Sequence, residues 1–378
     1  METIITLPTS FYQWAILIVL LIAFCTQILY HLRYIQLFKK EKKNTHTTIK
    51  AEPVSIVMCV KNEEYCLQEN LSLFLEQEYP NFELILVNDG SEDATETIIK
   101  EFQDRYPHLR STKIPLDDKF HHNIKLALSI GIKAAKNEKI VFTNIRSKPS
   151  SSKWLQEFIN SWNKGVHIGY ANFENKKGFF YNFLKFDLLS KNIKSASFAY
   201  SGNAYSGNGN NLGYKKSDFF ANKGFVKHSH FEAGYDHLMV FQLSKLSGAS
   251  VSLQPETKIN LSSVCAFDQW ITINRHYYKC RKYLPLKIRL LVDLEPISKM
   301  IFYSVTIYAL FFTHLYFFAA IIYLTRIILI GSLFKISTTY LKEEKLFLSS
   351  YLYEIFVLFS KIYFLCTNFI LSKSNQWK

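Results

Sequence analysis

The stretch Val54–Thr95, VSIVMCVKNEEYCLQENLSLFLEQEYPNFELILVNDGSEDAT, decides the fold. Val54–Val60 is a short apolar run rich in β-branched residues, and it stops at the polar cluster Lys61–Glu64. Leu67, Leu71, Leu73, Phe74 and Leu75 then recur at helical spacing until Pro80 and Asn81 break the pattern. Phe82–Val87 is a second apolar run, ended by Asn88, Asp89, Gly90 and Ser91. Two apolar strands joined by a helix predict a βαβ unit with parallel strands buried on both faces. Ligands of such sheets bind beyond the carboxyl ends of the strands. Lys61–Glu64 and Asn88–Asp93 both fall there.

Downstream, helices are expected over Ala94–Phe102, His122–Lys136, Trp154–Trp162 and Asp236–Leu246. Strands are expected at Ser111–Ile114, Lys139–Thr143 and Val251–Leu253. Gly165–Ser201 is aromatic and carries no clear period. Ser201–Tyr214 is punctuated by glycines and reads as a loop that approaches something closely.

Upstream, Phe11–Leu32 is apolar for about 20 residues, enough to span a bilayer. Positive charges follow it (Arg33, Lys39, Lys40, Lys42, Lys43), so the amino terminus is expected outside and the next segment in the cytoplasm. Pro296–Phe334 suits two spans, near 297–312 and 315–334; Arg326 inside the second is either a packed intramembrane residue or a sign that the segment tilts or sits shallow. Leu346–Leu371 is apolar but carries Glu354 and Lys361, and reads either as a span or as an interfacial helix. The expected organisation is an anchor over 1–33, a basic linker over 34–53, a cytoplasmic domain over 54–283 and a membrane region over 284–378.

The 378 residues carry a formal charge of +14. Lysine and arginine concentrate beside apolar segments, which fits membrane flanks and not nucleic-acid binding. The six cysteines show no paired spacing, so free thiols are expected, with neither a disulfide framework nor a zinc site. A dinucleotide-binding dehydrogenase is excluded because no G-x-G-x-x-G follows Val60.

KNEE at 61–64 and VNDGSEDAT at 87–95 resemble the family 2 glycosyltransferases of the GT-A fold. The resemblance continues through KLALSIGIKAAKNEKIVFTN (125–144), YSGNGNNLGYKKSDFFANKGF (205–225) and AGYDHL around Asp236. It implies an α/β fold with a Rossmann-like, mostly parallel sheet plus transmembrane helices, as in the membrane-bound bacterial branch. The implied activity is inverting transfer of a sugar from a UDP- or GDP-linked donor in cell-surface polysaccharide synthesis, at the cytoplasmic face of the inner membrane. By the same resemblance Asn62 and Glu63 border the nucleotide, Asp89 contacts base or ribose, and Asp93 supports them. For Ser91 and Asp93 a plain turn and helix cap explains the residues as well.

The sequence departs from the family pattern at three places. Where the family has Asp-x-Asp for Mg²⁺ or Mn²⁺, it has Asn144-Ile145-Arg146, so no family-type metal site is expected. Arg146 and Lys148 then either neutralise the diphosphate themselves or are exposed loop charges. The acidic cluster reads Tyr235-Asp236-His237, leaving Asp236 as the base candidate in register, or as an N-cap. The Q-x-x-R-W region reads Trp270 with Ile273 and His276, or Arg275-His276 after a one-residue shift. Asn210 stands where membrane-bound relatives often carry arginine. Two readings follow: an active transferase, or a catalytically impaired pseudo-glycosyltransferase that binds nucleotide or scaffolds polysaccharide-assembly proteins.

Overall fold

The computed structural model describes residues 10–43, 52–116, 123–231 and 233–374. The chain divides into two compact units. One is Glu41–Leu284; the other joins the described residues before Glu41 to those from Pro285.

Helix α1 (Phe11–Lys43) opens the chain and continues ten residues past the expected end of the anchor. Tyr34, Leu37 and Phe38 are buried, so an apolar face persists among the basic residues and keeps the helix going. β1 (Val54–Val60), α2 (Glu64–Leu75) and β2 (Phe82–Asp89) form the expected unit, with Val60 level with Asn88 in a parallel register. α3 (Thr95–Arg105) returns the chain to β3 (Leu109–Ile114). α4 (Ile124–Ala134) leads to β4 (Lys139–Phe142), parallel to β1. The expected start of that helix at His122 lies outside the described residues. β5 (Ser147–Pro149) and α5 (Trp154–Ser161) come next.

The stretch 165–201, which had no readable period, folds into β6 (Val166–Gly169), β7 (Ala171–Phe173) and α6 (Phe179–Tyr200). α6 buries residues on nearly every side from Phe183 onward, and a helix enclosed all round shows no apolar stripe. β8 (Leu212–Lys215), α7 (Lys216–Ala221), α8 (His237–Ser247), β9 (Ala249–Ser252), β10 (Ile259–Leu261) and α9 (Ala266–Arg281) complete the unit.

The main sheet has seven strands in the order β3-β2-β1-β4-β8-β6-β9. Among the described strands of this sheet β8 alone runs antiparallel to its neighbours β4 and β6. A small sheet, β5-β10-β7, stands apart from it. Asn211, fully buried, joins the surrounding loops. Its Nδ2 donates to the Tyr170 and Thr257 carbonyls at 2.8 and 2.7 Å, and its Oδ1 accepts from Trp154 Nε1 at 3.3 Å.

His167 on β6 gives this unit a pH dependence. Its ring is fully buried, stacked on Trp162 at 12° and held between Ser161 Oγ (3.1 Å) and Ser250 Oγ (2.8 Å). Burial, helped by the Lys139 charge, pulls its pKa down from 6.5 to about 3. The native state holds it neutral while the unfolded chain protonates it below its ordinary pKa, so stability falls as pH drops. From about pH 7 to about pH 5 this one group is expected to cost about 2 kcal/mol. Thermal unfolding of the full chain across that range checks it, and His167→Gln should flatten that part of the slope.

The other unit contains α1 up to Lys40 with α10 (Leu286–Phe312), α11 (Tyr316–Tyr340) and α12 (Ser350–Ser374). The break between α10 and α11 falls at the expected turn, but α10 begins eleven residues before Ile297 and carries Pro296 inside it. Among the described residues, three helices are long and apolar enough to cross a membrane: Phe11–Lys42, Tyr316–Tyr340 and Ser350–Thr367. Leu20, Ala23, Phe302, Ala309, Leu315 and Ala319 pack together where α1, α10 and α11 meet.

Arg326 is buried in this unit, not a mark of a shallow helix. Its Nη2 meets both Glu354 oxygens at 3.1 Å, its Nε donates to Gln27 Oε1 at 2.6 Å, and its Nη1 donates to the Tyr303 hydroxyl at 3.0 Å. Lys299 bridges Glu354 and Glu295, and Lys361 pairs with Asp293. Every charge that looked out of place in the apolar segments thus has an opposite partner.

Candidate active site

The turns after β1 and β2 are knitted together. Asn62 adopts a left-handed backbone (φ 54°), a conformation that asparagine tolerates better than most residues. Its Oδ1 accepts from the Glu92 amide at 2.9 Å, and its own amide donates to Ser91 Oγ at 3.0 Å. Thr95 Oγ1 accepts from the Glu63 amide at 2.9 Å. Asp93 accepts from the amides of Glu64 (3.2 Å) and Thr95 (3.0 Å). Desolvation works to raise the Asp93 pKa, but the hydrogen bonds from Thr95 and Glu64 win and hold it below the usual carboxylate range. Asp93 and Ser91 therefore have turn-stitching duties. Asp89, the last residue of β2, is buried on the strand beside the β1 turn. Asn62, Glu63 and Asp89 thus gather at the carboxyl ends of two neighbouring parallel strands.

The segment after β4 is tied to α2. Arg146 Nε donates to Glu63 Oε1 at 2.5 Å and Lys148 Nζ to Glu69 Oε1 at 2.5 Å. Asn70 Nδ2 donates to the Ile145 carbonyl at 2.7 Å. The Asn144 carbonyl oxygen, Oδ1, accepts from the Arg146 amide at 2.9 Å. These residues do not fit a divalent cation. The neutral oxygen of Asn144 is engaged in its own turn, and the neighbouring side chain is a cation.

Two cavities lie beyond these strand ends. The smaller, about 40 Å³, is bounded by Cys59, Thr143, Asn144, Asn210, Tyr214 and Tyr235 among others. The larger, about 90 Å³, is bounded by Lys191, Asn208, Asn210, Asp236, His237 and His276 among others. Asn210 and Tyr235 border both. The glycine loop before β8 makes the close approach its composition demanded: a Cβ on Gly209 would lie 2.7 Å from Tyr235 and 3.3 Å from Asp236.

Asp236 is the N-cap of α8, accepting from the His237 amide at 2.6 Å through Oδ1. Its Oδ2 lies 3.7 Å from His237 Nε2, and His237 Nδ1 is 2.9 Å from Ser206 Oγ. Capping and site membership coincide in this residue.

On α9, Ile273, His276 and Tyr277 line the larger cavity, whereas Arg275 is exposed and does not. Ile273, His276 and Tyr277 stand three and four positions apart on one face with Thr272 at its edge, and Arg275 lies beyond that edge. The shifted alignment that would recover an arginine is therefore not the one facing the cavity. Trp270 is buried one turn away, and its Nε1 donates to Asp187 Oδ2 at 2.6 Å.

Two residues here had no sequence signal. Lys191 on α6 lines the cavity and pairs with Asp187. Burial pulls its ammonium pKa down while Asp187 pulls it back up. Lys125 on α4 is buried with its ammonium on the carbonyls of His228 and Phe231, both at 2.5 Å, anchoring the segment that leads into Asp236.

The mainly parallel sheet with helices packed on it defines an α/β domain of Rossmann-like type. Residues 55–219 match the family model for glycosyl transferase family 2, and the Glu41–Leu284 unit has the GT-A fold. It is 31% identical over 129 residues to an uncharacterized glycosyltransferase, YkcC, of Bacillus subtilis, covering 33% of this chain and 38% of that protein. It is 41% identical over 61 residues to the poly-β-1,6-N-acetyl-D-glucosamine synthase of Staphylococcus epidermidis, covering 16% of this chain and 14% of that one. The matched segments thus span only 38% and 14% of the length of these two curated relatives. Among solved structures, the mannosyltransferase PcManGT of Pyrobaculum calidifontis, in complex with GDP-Man and Mn²⁺, shares the fold. Its TM-score is 0.53 at 17% identity, over 89% of this chain and 97% of that one.

Proposed function

We propose that this chain is a multi-pass membrane glycosyltransferase of the bacterial inner membrane. It transfers a sugar, with inversion, from a nucleotide-diphosphate donor to a hydroxyl acceptor in cell-surface polysaccharide synthesis. Its amino terminus lies outside and the Glu41–Leu284 unit in the cytoplasm. The observation that carries the reading is the larger cavity, where Asp236 faces His237, His276 and Asn208 beside the carboxyl ends of the sheet. Asn62, Glu63 and Asp89 hold the nucleotide end. Asp236 takes the proton of the acceptor hydroxyl as that oxygen attacks the sugar's anomeric carbon and the nucleoside diphosphate departs. His276 and Tyr277 flank the acceptor.

One observation favours the second reading, an impaired transferase that binds nucleotide or scaffolds an assembly. Arg146, the cation best placed to meet a diphosphate, is engaged by Glu63. An active enzyme must exchange that carboxylate for phosphate oxygens.

Calorimetry of the full chain with UDP- and GDP-sugars tests the donor site. Affinity should be the same in EDTA and in Mn²⁺, and Arg146→Ala should weaken it. A gain of about tenfold or more on adding Mn²⁺ would show that a metal holds the diphosphate after all. Binding without turnover selects the second reading.

A further inference from the structure

The amino-terminal ends of α6 and α9 carry exposed aromatic and aliphatic side chains that nothing in the catalytic reading uses. Phe179, Phe180, Val264 and Phe267 are 57%, 52%, 71% and 47% exposed. They belong together. The Phe180 and Phe267 rings lie 5.5 Å apart, and both rest on buried aromatics, Phe180 on Phe183 (6.1 Å) and Phe267 on Trp270 (5.9 Å). The patch is therefore mounted on a rigid base. Lys176 and Lys177, both exposed, are separated from Phe179 and Phe180 by Gly178 alone, with the exposed carboxylate of Asp268 beside Phe267. Phenylalanines in water next to lysines are the composition of a surface that sits at a bilayer interface. There the rings enter the acyl boundary and the ammonium groups meet lipid phosphates.

We propose that this patch docks the Glu41–Leu284 unit onto an anionic lipid surface. Chain continuity favours a bilayer over other occupants. Helix α1, one of the three helices apolar enough to cross a membrane, continues into the first residues of the unit, Glu41–Lys43. A bilayer holding α1 is therefore always within range of the unit. A soluble partner would have to be recruited. The inference concerns where the unit sits, not whether it transfers sugar, so an inactive chain would give the same result.

The test uses the full chain in nanodiscs of phosphatidylcholine, alone or mixed equally with phosphatidylglycerol. A photo-crosslinking benzoylphenylalanine replaces Phe180 or, as a control, Tyr65, which is 78% exposed on α2. Lipid adducts are expected at 180 and not at 65, and they should increase with phosphatidylglycerol. Lys176→Gln and Lys177→Gln should each lower the docked-to-free ratio about fivefold in the anionic discs and little in the neutral ones. Absence of lipid adducts at 180 overturns the proposal. So do adducts to a second copy or to another protein. Lipid adducts indifferent to phosphatidylglycerol and to both lysines overturn the anionic assignment.

Discussion

Asp236→Asn is expected to lower sugar transfer by roughly 10²- to 10⁴-fold, the range removed when a general base is lost. Asparagine is a fair choice because the residue has two jobs. Its Oδ1 caps α8 by accepting from the His237 amide, and asparagine caps a helix about as well as aspartate. The fold should therefore survive while the proton acceptor disappears. Melting temperature and turnover, measured on the same preparation, separate the two roles. If stability and turnover both stay at the parent level, Asp236 is a cap and nothing more, and the base must be sought elsewhere. His237 is then the next group to examine, because it shares the cavity and contacts Ser206.

The second large effect is structural. Asp187 is 1% exposed, and its Oδ2 accepts from Trp270 Nε1, Asn274 Nδ2 and Lys191 Nζ. Among the described residues its other oxygen has no hydrogen-bond partner. Asp187→Ala removes the counter-charge of a lysine with little access to water and strips two further donors of their acceptor. Breaking one side of such a pair typically costs about 3–5 kcal/mol. Denaturant unfolding of the variant should show a loss of that order. The double replacement Asp187→Leu with Lys191→Met should recover much of it, because it leaves no charge unpaired. A single variant as stable as the parent would mean that Lys191 finds water or loses its proton without penalty. The pair also matters to the site. Lys191 lines the larger cavity, and Asp187 holds it and Trp270 in one arrangement that joins α6 to α9.

The Arg146–Glu63 pair bears on both readings of function. It crosses 83 residues of sequence, so neither partner announces the other. Taken singly, Glu63 reads as a nucleotide contact and Arg146 as a candidate phosphate contact. Together, each lowers the other's availability. Lys148 and Glu69 repeat the arrangement one step along. The two pairs, with Asn70 on the Ile145 carbonyl, fasten α2 to the segment that in the family holds the metal.

The opening βαβ unit, the parallel sheet and the apolar helices are legible from residue patterns alone. Those features rest on local periodicity: β-branched runs make buried strands, spaced leucines make an amphipathic helix, and long apolar runs make membrane-length helices. The glycines of 201–214 also marked a loop that approaches something closely, while Asp236 stood out only through the resemblance to the family's acidic cluster. The remaining features depend on contacts between distant segments. α6 carries no stripe because it is enclosed on most sides, so Lys191 and Asp187 had no pattern to reveal them. The choice between Arg275 and His276 needed the face of α9 that meets the cavity. Arg326 looked misplaced until Glu354 and Gln27 were found against it. A residue's chemistry depends on its neighbours in space. Here those neighbours come from distant segments whose approach no local pattern records.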